Sequence, residues 1–162
     1  MYAFNRQRRE ILKSLDYPII VFFVAMFVVT SALWSSGALS ILFFDSLPAP
    51  DPNDALQSSA VITVASIGMS QVLSNVPFVA LYNFVLTDNG FQAHHVDQWM
   101  MLAAASTVAG SLTILGAASN IIIIEASESR GIKAFSFYEF FKVGAIVTLV
   151  TLPVYFLFIV LI

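Results

Sequence analysis

The chain has 162 residues, 59% of them hydrophobic and 10% charged, with 15 phenylalanines and a formal net charge of −3. A soluble domain carries about 25% charged residues, so composition excludes a water-soluble globular protein, and so small a net charge points to no nucleic-acid partner. Cysteine is absent, which excludes disulfides and thiol-based metal or redox chemistry.

The N-terminal stretch MYAFNRQRREILKSLDYP is basic. The apolar run that follows is too long for a signal-peptide core and lacks a small-residue cleavage site, so it predicts a retained transmembrane helix over 18–38. After the polar loop DSLPAPDPND, no charged side chain occurs from Ala55 to Thr87, but the run is interrupted at Ser74-Asn75-Val76-Pro77. A third apolar segment begins at Trp99 and a fourth at Val143, each of the length that roughly 20 apolar residues need to span hydrocarbon. Between them, Gly131 is placed to end a helix as its C′ residue. The sequence SFYE at 136–139 then reads as a capping box, with Ser136 as N-cap, Glu139 at N3, and Phe135 and Phe140 in the staple positions. Pro153 is placed to kink the last helix.

Charge sets the orientation. All seven Lys and Arg fall in two groups, Arg6, Arg8, Arg9 and Lys13 before the first helix and Arg130, Lys133 and Lys142 between the last two. The loops 45–54 and 88–98 hold Asp45, Asp51, Asp54, Asp88 and Asp97 but no basic residue. Short basic loops stay cytoplasmic. A single crossing by 55–87 would put the two basic groups on opposite sides, whereas a segment that enters and leaves on one side puts both inside. The expectation is therefore an all-α membrane protein with three transmembrane helices, one of them broken, plus one re-entrant helical hairpin. Its parts are a helix over 18–38, the hairpin over 56–87, a broken helix over 99–129 and a helix over 137–162, in a single membrane domain with the N-terminus cytoplasmic.

Irregular backbone at membrane depth is tolerated only where protein buries it or water lines it, and two such places occur. In the hairpin, Asn75 suits an N-cap and Pro77 the first turn of the second arm. In GSLTILGAASN, Gly116 is placed to close one half-helix, and Ser119 with Asn120 to open the next. From Ser58 to Asn75 is roughly 25 Å at the helical rise and from Trp99 to Asn120 roughly 31 Å, so both breaks reach a similar depth. Ser59, Thr63, Ser66, Ser70 and Ser74 form a polar stripe on one arm, and Ser106, Gly110, Thr113, Ala117 and Asn120 form one on the broken helix. Such stripes serve helix packing or a wet lining. Half-helix ends that meet are a way of holding anions and coupling cations.

Other chemistry is sparse. His94 and His95, beside Asp97, lack further ligands at metal spacing and read as a solvated pair. Glu125 and Glu128 sit at the cytoplasmic end of the third helix, within reach of Arg130 or Lys133. No Asp, Glu, Lys or Arg lies within 17–44, 55–87, 98–124 or 143–162, so the chain supplies no intramembrane proton relay of its own. No enzyme motif is present.

At SNVP (74–77), GSLTILGAASNIIIIEASE (110–128) and FSFYEFFKVGAIVTLVTL (135–152) the sequence resembles the C-terminal part of the ion transporter superfamily. That group includes arsenite permeases, citrate and dicarboxylate carriers and Na⁺/H⁺ antiporters. The branch of arsenite and anion permeases is nearest, since dicarboxylate carriers usually show Ser-Asn-Thr where this chain has Ser74-Asn75-Val76. The resemblance implies two inverted repeats, each with a hairpin and a broken helix whose Ser-Asn tips bind substrate and often Na⁺. Carried over by position, Ser74, Asn75 and Pro77 form a hairpin tip, and Gly116, Ser119 and Asn120, with Thr113, the unwound part of the broken helix. The function implied is that of a secondary active transporter, fragment or split half, which moves a small anion or metalloid oxyanion with Na⁺ or H⁺ as coupling ion. No cofactor is implied, and Na⁺ is expected near Asn75 and Asn120. Expected partners are the lipid bilayer, the substrate, and a missing N-terminal half, partner chain or second copy, in the plasma (inner) membrane. Alternatives are a non-transporting subunit whose breaks serve packing, and a channel-like pore with a re-entrant loop.

Overall fold

A computed structural model describes residues 17–38 and 48–161. The basic N-terminal group and Asp45 lie outside these residues. Among the described residues the chain is helical, without strands: α1 (Tyr17–Ser35), α2 (Ala55–Leu73), α3 (Asn75–Asp88), α4 (Val96–Ala109), a 3-10 turn (Ile114–Gly116), α5 (Ala118–Glu128) and α6 (Phe137–Leu161).

Local signals account for several helix ends. Asp54 opens α2 in an extended conformation, and its Oδ1 accepts a hydrogen bond from Gln57 N at 2.9 Å. The Gln57 side chain fastens the preceding loop, donating to Ala49 O and accepting from Asp51 N, each at 3.0 Å. α3 ends in a Schellman motif at Gly90 (φ 88°), with Phe91 N donating to Leu86 O and Gly90 N to Thr87 O, both at 3.0 Å. The end of α5 repeats this at Gly131 (φ 73°), where Ile132 N donates to Ser127 O at 3.0 Å. The expected capping box opens α6: Ser136 N donates to Glu139 Oε2 at 2.8 Å, and Glu139 N donates to Ser136 Oγ at 3.3 Å. The helix continues through Pro153.

The core lies between α2, α3 and α4. One face of α2, from Ser58 and Ser59 through Ile62, Ala65, Ser66, Met69 and Ser70 to Leu73, is buried, as is the face Gln98, Met101, Leu102, Ala105, Ser106 and Ala109 of α4. These two helices share the most extensive contact among the described elements. Small side chains on both faces let the backbones approach closely, which matters in lipid, where packing rather than exclusion of water holds helices together. Near their C-terminal ends Gln71 Nε2 donates to Ala109 O at 2.9 Å, so α2 and α4 lie side by side in the same direction. Phe78, Leu81, Tyr82 and Leu86 of α3 fill the remaining space. α1 leans on α3 through Trp34 and Phe84, with ring centroids 6.4 Å apart.

α6 touches this bundle along one seam. Its buried residues are Gly144, Thr148 and Leu152, four apart, while Leu149 is 73% exposed. At Gly144 the helix comes so close to the carbonyls of Ser111 and Leu112 that a Cβ would overlap them.

By length and composition two helices are able to cross a membrane, Ala55–Leu73 and Phe137–Val160; the described apolar part of the first segment, Ile20–Ser35, is shorter. The first of the three expected spans is described only in part, and the third is the one expected to be broken. The third segment fails the length criterion because it is divided into helices of 14 and 11 residues, about 21 and 17 Å long.

Candidate functional site

The first break is confined to Ser74. Its φ of 67° and ψ of 156° lie in a region that L residues rarely occupy, at a cost of about 1–3 kcal/mol. Asn75 is not the N-cap expected from sequence. It is the first residue of α3, and Ser74 holds the cap position, its carbonyl accepting from Phe78 N at 3.2 Å but its side chain making no bond to its own helix. The reason is that the Ser74 hydroxyl is used elsewhere: its Oγ accepts from Ala118 N at 3.0 Å and thereby caps α5 from outside. Pro77 falls in the first turn of α3, where a missing N–H leaves no bond unmade, and it is fully buried.

The second break is wider than the sequence suggested and begins earlier. α4 ends at Ala109 with Gly110 as its C-cap. Thr113 is extended and its Oγ1 accepts from Leu115 N at 3.2 Å, opening the 3-10 turn. Ala117, also extended, leads into α5. Gly116 therefore sits inside the turn rather than closing a half-helix, and Ser119 and Asn120 are the second and third residues of α5 rather than its cap. Two tertiary bonds explain this. Gln71 takes up the Ala109 carbonyl that the end of α4 exposes, and Ser74 supplies the cap that α5 would otherwise need from its own chain. The stripe Ser106, Gly110, Thr113, Ala117 and Asn120 is thus not one helical face.

Several of its members still converge. Asn120 Nδ2 reaches back to Gly110 O at 2.9 Å and to Thr113 O at 3.2 Å. Thr113 Oγ1 donates to Gln71 Oε1 at 2.8 Å. Gly116 is closely enclosed, since a Cβ there would lie 2.9 Å from both Gln71 Oε1 and Gly110 O. On the other side of Gly110, an added Cβ would lie 3.2 Å from Asn75 Nδ2. The Asn75 carboxamide is half-buried and makes no hydrogen bond among the described residues. Ser74, Asn75, Thr113, Gly116 and Asn120 therefore gather around Gly110. Pro77 is buried in the first turn of α3, and Ser119 is exposed and outside the group. Sequence reasoning missed Gln71; a carboxamide in a run without charges was the available signal.

The cluster is uncharged. It presents backbone carbonyls, the hydroxyls of Ser74 and Thr113, three carboxamides and the positive end of the α5 dipole. A cleft of about 400 Å³ adjoins it at Ala118 and follows α5 past Ile122 to Glu125 and Ser129, facing Pro18 and Phe22 of α1. The histidine pair lies elsewhere, in the loop before α4. His94 is exposed, and His95 Nδ1 accepts from Gln92 N at 2.9 Å.

Comparison with known proteins adds the family. The profile of the citrate transporter family CitMHS matches residues 2–108. A transporter of Mycobacterium tuberculosis H37Rv is 27% identical over 150 residues, covering 90% of this chain and 35% of that protein. A silicon efflux transporter of Oryza sativa subsp. japonica is 31% identical over 123 residues, 74% of this chain and 25% of the other. A Dictyostelium discoideum transporter named arsB is 28% identical over 153 residues, 90% of this chain and 26% of the other. The chain spans about a third or less of the length of these relatives. No solved structure matches. The relatives are transporters rather than enzymes, and the apolar helices here are those of an integral membrane protein. This chain belongs to the citrate transporter family CitMHS, within the ion transporter superfamily.

Proposed function

We propose that this chain supplies one hairpin and one broken helix to the substrate site of a secondary active transporter for a small anion or metalloid oxyanion. The observation that carries this reading is the meeting of the two breaks at Gly110, with the unbonded, half-buried Asn75 carboxamide facing the backbone that Asn120 anchors. Discontinuous helices meeting in this way are suited to anionic groups at half-helix N-termini and to cations at unwound carbonyls. Relatives named for silicon efflux and arsB, in a family named for citrate, favour an oxygen-rich solute. The coupling ion is Na⁺ or H⁺. Oxygen donors without an ionisable group in 55–87 or 98–124 suit Na⁺ better.

The re-entrant reading of α2 and α3 belongs to this proposal. It is supported by the parallel course of α2 and α4, because α3 starts where α2 ends and is joined by a short loop to the start of α4. α3 must then run back to the side from which α2 came. The charge distribution asks for the same path, even though α2 is long enough to cross alone. The N-terminus and the 130–142 connection lie on the cytoplasmic side of the plasma membrane, and the remaining portion of the permease, or a second copy, completes the site.

The test is tracer uptake of arsenite, silicic acid and citrate by vesicles holding the completed permease, with Asn75→Ala and Asn120→Ala variants. One solute is transported, and each variant loses roughly tenfold or more in affinity, as removal of a buried polar contact implies. Two variants that bind and transport like the parent would instead make the breaks packing features.

A further inference from the structure

The ties between the two breaks single out a residue that no recognition motif contains. Gln71 lies on the last turn of α2 and is half-buried. Its Nε2 donates to Ile67 O at 3.0 Å in its own helix and to Ala109 O at 2.9 Å across the interface. Its Oε1 accepts from Thr113 Oγ1 at 2.8 Å. One carboxamide thus adds a second donor to the last carbonyl of α4, beside Leu112 N, and fixes the residue that opens the 3-10 turn. The same Oε1 closes the space beside Gly116.

This bonding pattern fits a carboxamide and little else. A helix that stops in a buried setting leaves carbonyls short of partners. Ala109 O accepts from Leu112 N at 3.1 Å, and its second lone pair is free to take a side-chain donor. Thr113 Oγ1 already accepts from Leu115 N, so its proton must go to an acceptor. A donor and an acceptor on one planar group, at the ends of one side chain, meet both needs at once. Leucine supplies neither. Glutamate supplies only acceptors when ionised but regains a donor when protonated.

We propose that Gln71 is the positioning residue of the site: it holds the unwound segment Gly110–Ala117 against the hairpin tip, so that Asn75 and Asn120 face one another across Gly110. The role rests on the reading of the two breaks as one site. Gln71 acts through Ala109 and Thr113 and need not touch the solute.

Hydrogen exchange on the 162-residue chain in lipid nanodiscs tests it without any ligand. In Gln71→Leu, amides of 110–118 exchange roughly tenfold faster, as loss of buried polar partners implies, while those of 96–105 and 145–158 stay within about twofold. Gln71→Glu, ionised, keeps the acceptor for Thr113 Oγ1 but loses the donor to Ala109 O, so at high pH its protection lies between that of Gln71→Leu and the parent. At low pH, after correction for intrinsic exchange, protection recovers because the protonated carboxyl again donates to Ala109 O. Thr113→Val removes one of the two bonds from the other side, and in combination with Gln71→Leu adds less than the sum. Unchanged protection at 110–118 in Gln71→Leu overturns the proposal. So does faster exchange spread evenly over all helices, or a Gln71→Glu chain without pH-dependent recovery. None of these outcomes depends on solute binding, so failure here and failure of the transport reading are told apart: Asn75→Ala can abolish uptake while Gln71→Leu leaves exchange unchanged, and the reverse.

Discussion

Ser74 carries two opposed contributions. Its backbone is strained by about 1–3 kcal/mol, and its hydroxyl caps Ala118 of another helix, a bond whose loss in a buried place costs about 1–3 kcal/mol. Substitutions separate the two. Ser74→Ala keeps the strain and loses the cap, so it should destabilise by about 1–3 kcal/mol. Ser74→Gly loses the cap but relieves the strain, less the ~0.5–1 kcal/mol that glycine's backbone freedom takes back, and should fall between alanine and the parent. Unfolding in mixed micelles gives the order, and a glycine variant less stable than the alanine variant contradicts the strain. Much of this residue's importance was legible, since Ser-Asn-Val-Pro inside an uncharged run is an anomaly on its face. Its partner was not. The bonds from Ser74 to Ala118 and from Gln71 to Ala109 and Thr113 join residues separated by 44, 38 and 42 positions, and no local pattern encodes such pairings. Asn75 was misread as a cap for that reason: the rule for N-caps assumes that a helix is capped by its own chain.

At the level of elements, glycines report where helices press on one another. Gly144 lies against the Ser111 and Leu112 carbonyls, and Gly68 faces open space within 4 Å. Backbone cannot yield as a flexible side chain does, so Gly144→Ala must push α6 away from the unwound segment, at about 1–3 kcal/mol or more. Gly68→Ala should stay within about 1 kcal/mol of the parent, on the stabilising side. Equal melting temperatures for the two variants would mean that α6 does not rest on the second break. The ends of α5 and α6 were readable because Gly131 and the Ser136–Glu139 box are local devices. The end of α4 was not, because Gly110-Ser111-Leu112-Thr113 carries no stop signal as strong as Gly116 or Ser119-Asn120. Turn bonds from Ser111 N and Leu112 N close α4, and a carboxamide on another helix meets it there.

For the whole molecule, the orientation makes its own prediction. The chain has no cysteine, so Asp51→Cys and Asp88→Cys can be introduced singly without background. Both thiols should react with a membrane-impermeant maleimide added from outside. Labelling from opposite sides would turn α2 and α3 into a crossing and separate the two breaks topologically. The membrane class and the helical content were plain from composition, and the seven basic residues supply only the expected side of each loop, which the labelling tests. The count of spans was less legible, because hydropathy measures how apolar a stretch is and not whether its backbone continues through the bilayer.

The seam on α6 has one more consequence. Gly144, Thr148 and Leu152 meet the bundle, and most of the remaining helix surface faces outward. A saturation scan of this chain by folding yield should therefore tolerate apolar exchanges along α6 everywhere except at a period of four. The same scan in the completed permease proposed above becomes a footprint: any position between those turns that loses its tolerance marks where the proposed remaining portion lies against this helix.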